Sequence, residues 1–315
     1  MIYEYAIEPE LVVAWGKDPK DCRHFYNAFG VGTPRFMAEF PGFKKWRKLF
    51  REAWALASDT EQKRIEALFV RLTEKRIRRL NDEYDNRRTW LENAEEEHDR
   101  QTFHAVLSLQ NPRGHAQVLP PPALLEPIDG HHLWQVESGQ LSCTRKAHAM
   151  AELIGPLLAN CTELHLVDPY FGPENRRHRA PLAAFLDKAC RYRTRRLPLE
   201  RVVIHTTDRS SDIFFRQECK KSLPGIIPTG LRLELRRWQQ RAGGEKLHNR
   251  YILTDIGGVK VDPGLDEGPD GESFEAILLE RVLFERKWAD YVSNPAFDPA
   301  SPPLWVTGEC AKVVI

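Results

Sequence analysis

From about residue 146 onward, apolar positions fall into alternating helical and extended blocks. Lys146 to Asn160 carries Ala149, Leu153, Leu157 and Leu158 in a helical pattern. Glu163-Leu-His-Leu-Val-Asp168 reads as a buried strand, Ala180 to Tyr192 as a helix, and Arg201-Val-Val-Ile-His205 as a second buried strand. A helix over Ser210 to Ser222 follows, then strands at Leu231–Leu235 and Leu247–Asp255, a closing helix from Glu275 to Tyr291, and a short strand at Leu304–Thr307. This alternation predicts an α/β sheet flanked by helices.

The preceding half has a different pattern. Tyr3-Glu-Tyr5-Ala-Ile7 alternates as a short strand does, and a Gly/Pro-punctuated stretch follows. Phe43, Trp46, Phe50 and Trp54 share one helical face, which reads as a packing face. Over 59–104, Ile65, Leu68, Phe69 and Leu72 form a thin apolar stripe that Leu80, Tyr84 and Leu91 extend. Residues 61–100 hold 10 basic and 11 acidic side chains, which suits a solvated helix or a coiled-coil-like hairpin rather than a nucleic-acid arm. Such a stripe is expected to pack on the globular part or on a partner protein. Asn111-Pro112, Pro120-Pro-Pro122 and Pro127-Ile-Asp-Gly130 mark a linker, and Leu133 to Thr144 reads as a small hairpin. The expected organisation is a mainly helical region over 1–109, a Pro-rich linker with a small hairpin over 110–145, and an α/β domain over 146–315.

Composition bounds the function. The 315 residues are 42% hydrophobic and 29% charged, as in soluble globular proteins. No run approaches the ~20 apolar residues of a membrane span, and Met1-Ile-Tyr-Glu lacks the basic start of a signal peptide. A cytoplasmic location is the expectation. The six cysteines are scattered without a CxxC pair, which argues against a zinc site or a disulfide framework. Net charge is only +1, yet residues 170–250 hold 19 basic against 8 acidic side chains. Basic clusters at Arg176, Arg177 and Arg179, and at Arg191, Arg193, Arg195 and Arg196, supply much of this excess. It could attract a polyanion or pair with the acidic tail of the same chain.

The chemistry centres on Lys246-Leu-His-Asn-Arg-Tyr-Ile-Leu-Thr-Asp255. On an extended segment His248 and Arg250 project together, because residues two apart share a face. An imidazole can attack phosphorus and a guanidinium can hold two phosphate oxygens, so the pair suits phosphoryl transfer without a metal or other cofactor. Asp255 would stabilise a turn or orient a histidine. Asp168, His205 and Asp208 sit at the ends of strands, where α/β sheets bind ligands.

The spacing H-x-R-x4-D resembles the H-x-K-x4-D signature of the phospholipase D superfamily. Val167-Asp168-Pro-Tyr170-Phe171 upstream and Gly264-Leu-Asp266 downstream bring the resemblance closest to the phospholipase-D-like C-terminal domain of MIT-domain proteins and its bacterial relatives. It covers about residues 146–295. Arg250 stands where the family has lysine, and the usual Gly-Ser-x-Asn turn after the motif is absent. In the family, the histidine of one motif becomes phosphorylated and that of a second protonates the leaving group. The resemblance implies a phospholipase-D-like fold, His248 as nucleophile or acid, Arg250 as phosphate clamp and Asp255 as the third motif residue. Asp168, Tyr170, His205, Arg176, Arg177 and Asp266 are the candidates for holding phosphate or substrate.

The other H-x-[KR] sequence, His98-Asp-Arg100, has Ala105 where aspartate is needed, so the chain holds one motif. A homodimer joining two His248 residues is therefore expected. The leading expectation is a metal-independent nuclease acting through a histidine intermediate, by analogy in bacterial defence. The alternative is a non-catalytic phosphate- or nucleic-acid-binding module that recruits a protein partner through its helical half. Membrane binding is disfavoured for want of an interfacial basic amphipathic helix.

Overall fold

A computed structural model describes residues 1–55, 57–80, 82–124, 130–136, 139–191, 193 and 196–309. Arg195, Cys310 and part of the expected linker (125–129) lie outside the described residues. The chain divides into two units: residues 2–138 with 194–196, and residues 139–193 and 197–315 with Met1.

The N-terminal unit is built on four short parallel strands: β1 (Tyr3–Ile7), β2 (Arg35–Met37), β3 (Ala105–Leu107) and β4 (Val118–Leu119), in the order β2-β1-β3-β4. Tyr5, Ile7, Met37, Ala105 and Leu107 point to one face. There they meet Leu11, Trp15, Phe25, Trp46, Phe50, Ile65 and Leu68 from helices α1 (Pro9–Lys17), α2 (Pro19–Ala28), α3 (Phe43–Trp54) and α4 (Asp59–Glu74). Ala6, Ala38, Val106 and Val118 point the other way, against Trp90, Leu91 and Ala94 of α5 (Trp90–Arg100). Gly16 lets α1 and α4 approach, since a Cβ there would come within 2.3 Å of Ile65 Cγ1.

Helices α1 to α5 make up most of the unit's regular structure, as expected of a mainly helical region, and the parallel sheet they cover is the addition. β1 is the strand that its alternation predicts; β2, β3 and β4 are two or three residues long, too short to carry an alternation. The expected coiled-coil-like hairpin over 59–104 does not form, because α4 and α5 pack on opposite faces of the sheet. Between them Arg79 is buried, bonded to Glu4 at 2.6 Å and Glu97 at 3.2 Å. The apolar stripe of α4 packs inside its own unit.

The second unit opens with β5 (Gln140–Thr144), α6 (Ala147–Leu153), α7 (Gly155–Asn160), β6 (Glu163–Val167), α8 (Arg176–Cys190), β7 (Arg201–Thr207), α9 (Asp212–Ser222) and β8 (Arg232–Gln239). It continues with β9 (Arg250–Thr254), β10 (Gly257–Asp262), β11 (Ser273–Leu278), α10 (Arg281–Trp288), β12 (Asp298–Pro299) and β13 (Leu304–Thr307). The strand order is β12-β8-β7-β6-β9-β10-β11-β5, with β13 also on β8. β6, β7 and β8 are parallel and the other pairings antiparallel. The unit is mixed α/β, as the alternation predicts.

Three local expectations change. β5 pairs with β11, not with Leu133 to Val136, and Trp134 is buried in the core of the N-terminal unit. Residues 273–278 are a strand, so the closing helix starts at Arg281. β9 begins at Arg250, which leaves His248 in the preceding loop. Among the described residues no helix is long and apolar enough to cross a membrane.

Candidate anion-binding site

The C-terminal ends of β6, β7 and β8 share one sheet edge with the start of β9, where Val167 pairs with Tyr251. Ligands of α/β sheets bind at such edges. Asp168 leaves β6 there, buried. It accepts the Tyr170 amide at 2.9 Å on one oxygen and the Leu265 amide at 3.0 Å on the other. It is therefore a brace that turns the chain at Tyr170 and pins the Gly264-Leu-Asp266 turn. Gly264 is needed in that turn, because a Cβ would lie 2.8 Å from an Asp266 carboxylate oxygen.

The brace extends outward. Asp266 pairs with Arg145 and, at 2.6 Å, with Arg177, whose Nε donates to the Glu267 carbonyl at 2.8 Å. Asp168, Arg177 and Asp266 are thus scaffold, contrary to the expectation that they hold phosphate. Both Asp168 oxygens are held by backbone amides, and Asp266 by Arg145 and Arg177. Arg176 is exposed at the first turn of α8.

Tyr170, 41% exposed, is what the brace presents. Its ring carries the Arg250 guanidinium at 4.7 Å and the Arg209 guanidinium at 4.4 Å from the centroid. The two guanidinium carbons are therefore no more than about 9 Å apart. Neither has an ion pair among the described residues, and the buried Nε of Arg250 has no hydrogen-bond partner. His248 is exposed two residues before Arg250, and Lys246 is exposed as well. Sequence reasoning missed Arg209. It lies in the loop after β7, and only the pairing of β6 with β7 brings it over Tyr170.

Two other expectations fail on position. Asp255 lies at the far end of β9, about 17 Å from Arg250 at the ~3.3 Å rise of a strand. Its carboxylate accepts from the Thr162 amide and hydroxyl, both at 2.8 Å, and from the Glu163 amide at 3.1 Å. It ties β9 to β6 and takes no part in the Arg250 cluster.

His205 is fully buried in a directed chain. Trp238 Nε1, which can only donate, bonds His205 Nδ1 at 3.0 Å. His205 Nε2 then donates to His165 Nδ1 at 2.9 Å, and His165 Nε2 donates to Glu163 at 2.9 Å. Burial holds both imidazoles below their ordinary pKa, His205 far below. The hydrogen bond from His165, with Arg201 beside it, holds the Glu163 carboxyl low despite partial burial. The edge thus has one accessible histidine. The other motif-like histidine, His98, accepts the Phe103 amide at 3.3 Å in the N-terminal unit. Among the described residues no group of His, Cys, Asp and Glu side chains could hold a metal.

No family model and no curated protein matches this sequence. Among solved structures, the chain is similar to TrmBL2, an archaeal chromatin protein described as showing a novel mode of DNA binding. Identity is 16%, over 50% of this chain and 54% of that protein, with a TM-score of 0.24, a likeness too slight to bear on function.

Proposed function

We propose that the C-terminal unit is a phospholipase-D-like domain that grips nucleic-acid phosphate at the Arg250–Tyr170–Arg209 cluster. The observation that carries this reading is the pair of guanidiniums on one exposed ring, neither neutralised by a carboxylate. Two cations held this close repel each other, and an entering phosphate relieves that repulsion while accepting charge-assisted bonds from both. Three parallel strands followed by an antiparallel strand with H-x-R at its start support the phospholipase-D-like reading. The test is oligonucleotide binding by fluorescence anisotropy. The double change Arg209→Gln, Arg250→Gln is expected to weaken affinity at least about tenfold, and His248→Ala to leave it nearly unchanged. Equal affinity of the double variant and wild type rejects the proposal.

A second reading, hydrolysis through a phosphohistidine, is favoured by the exposure of His248 beside this cluster. With one accessible histidine at this edge, it requires two chains to complete the site. Cleavage of DNA or RNA with a chelator present, lost in His248→Ala, would establish it; a wild-type protein that cleaves no nucleic acid would exclude it.

A further inference from the structure

The exposed face of α3 carries Lys44, Arg47, Lys48 and Arg51 at positions i, i+3, i+4 and i+7, a single cationic stripe about 10 Å long at 1.5 Å per residue. The opposite face is fully used. Trp46 and Phe50 are buried, Phe50 stacks on Phe69 at 4.9 Å, and Trp46 Nε1 donates to the Ile7 carbonyl at 2.8 Å. α3 therefore has no apolar face to lay into a bilayer, which an interfacial helix requires.

The stripe borders an open groove of about 1440 Å³ that Tyr84 and Asn86 also line. The acidic groups in this groove are already engaged. Glu39 pairs with Arg76 at 2.6 Å, Asp82 accepts the Gly42 amide at 2.8 Å, and Glu52 faces Lys48 at 3.8 Å. Lys45 sits over the Tyr84 ring at 4.0 Å. Lys44, Arg47 and Arg51 have no ion pair among the described residues.

We propose that this helix and groove form a second nucleic-acid site in the N-terminal unit, which tracks the phosphate backbone without reading bases. A 10 Å stripe spans about three phosphates of one strand at ~3.4 Å of axis each. The choice of nucleic acid over another polyanion rests on the function proposed above; the charge geometry does not.

The test is anisotropy with labelled single-stranded and duplex oligonucleotides between about 50 and 200 mM salt. The full chain carries Lys44→Gln, Arg47→Gln, Lys48→Gln and Arg51→Gln together. All four side chains are exposed, and an unchanged thermal melt checks the fold. Affinity is expected to fall roughly 10- to 100-fold at low salt, with the salt slope reduced by about 2 to 3. Replacing Lys44 and Lys48 by Arg is expected to preserve both. Unchanged affinity and slope in the quadruple variant overturn the proposal. So does a wild-type protein that binds phosphatidylserine vesicles but no oligonucleotide. The two sites are separable. Binding lost only with Arg209→Gln, Arg250→Gln upholds the C-terminal site and rejects α3. Binding lost only with the α3 changes does the reverse.

Discussion

Tyr170 is reached by two guanidiniums because Asp168 fixes the backbone just before it. Both Asp168 oxygens are committed to backbone amides, one at Tyr170 and one at Leu265. Asp168→Ala removes a buried charged acceptor from two amides, which is expected to cost about 2–4 kcal/mol. It should also weaken oligonucleotide binding about as much as Tyr170→Ala, because the ring loses its position. Urea denaturation and anisotropy on the same protein would check this; full stability with lost binding would mean that Asp168 contacts the ligand directly. Asp255 gives the opposite pattern. Its carboxylate holds Thr162 and Glu163, so Asp255→Asn is expected to lower stability by about 1–3 kcal/mol while affinity stays the same. Lost affinity without lost stability would restore Asp255 to the site. From sequence alone these aspartates could not be sorted. Each follows or ends a strand, and only the direction of its hydrogen bonds distinguishes brace from ligand.

At the level of elements, β6 and β7 were legible because long apolar runs can only be buried strands. β10 and β11 were not: Gly257-Gly258 opens one, and Glu275 inside the other resembles a helix start. In the N-terminal sheet only β1 was legible, since the two or three residues of β2, β3 and β4 carry no period. In α3 the aromatic face was legible but the cationic stripe behind it was not, because the solvated face of any packing helix is rich in charge. The pairing of β6 with β7 and of β7 with β8 also creates the Glu163–His165–His205–Trp238 chain, which carries a pH dependence. Once unfolded, both histidines take up protons below about pH 6.5, whereas burial keeps them neutral in the fold. The unfolded state then binds more protons, so stability should fall as pH drops below 6.5 and be complete above it. Amide exchange of β6 and β7 should accelerate between pH 7.5 and 5.5, after correction for the intrinsic rate; constant protection across that range would mean the pair is not locked neutral.

For the whole molecule, the basic excess over 170–250 is largely spent internally. Arg177 pairs with Asp266, Arg201 with Glu163 and Glu234, Arg216 and Arg237 with Asp212, and Arg241 with Asp298. Among the described residues, Arg176, Arg209, Lys246, His248 and Arg250 have no ion pair and remain to face a polyanion. This small set sharpens the question of catalysis, because it contains a single histidine. His205 is locked in its chain and His98 belongs to the other unit, so two-histidine chemistry needs a second copy of the protein. A two-fold axis joining two His248 side chains builds one site per dimer, and a dimer with one His248→Ala chain would then be dead. Co-expressing wild type and His248→Ala in equal amounts, with the chains associating at random, leaves about a quarter of dimers intact. Cleavage per chain should then fall to about a quarter of wild type. A site complete within one chain predicts about half instead. Sedimentation of the same sample supplies the dimer fraction, so a value near half in a fully dimeric sample excludes the shared site.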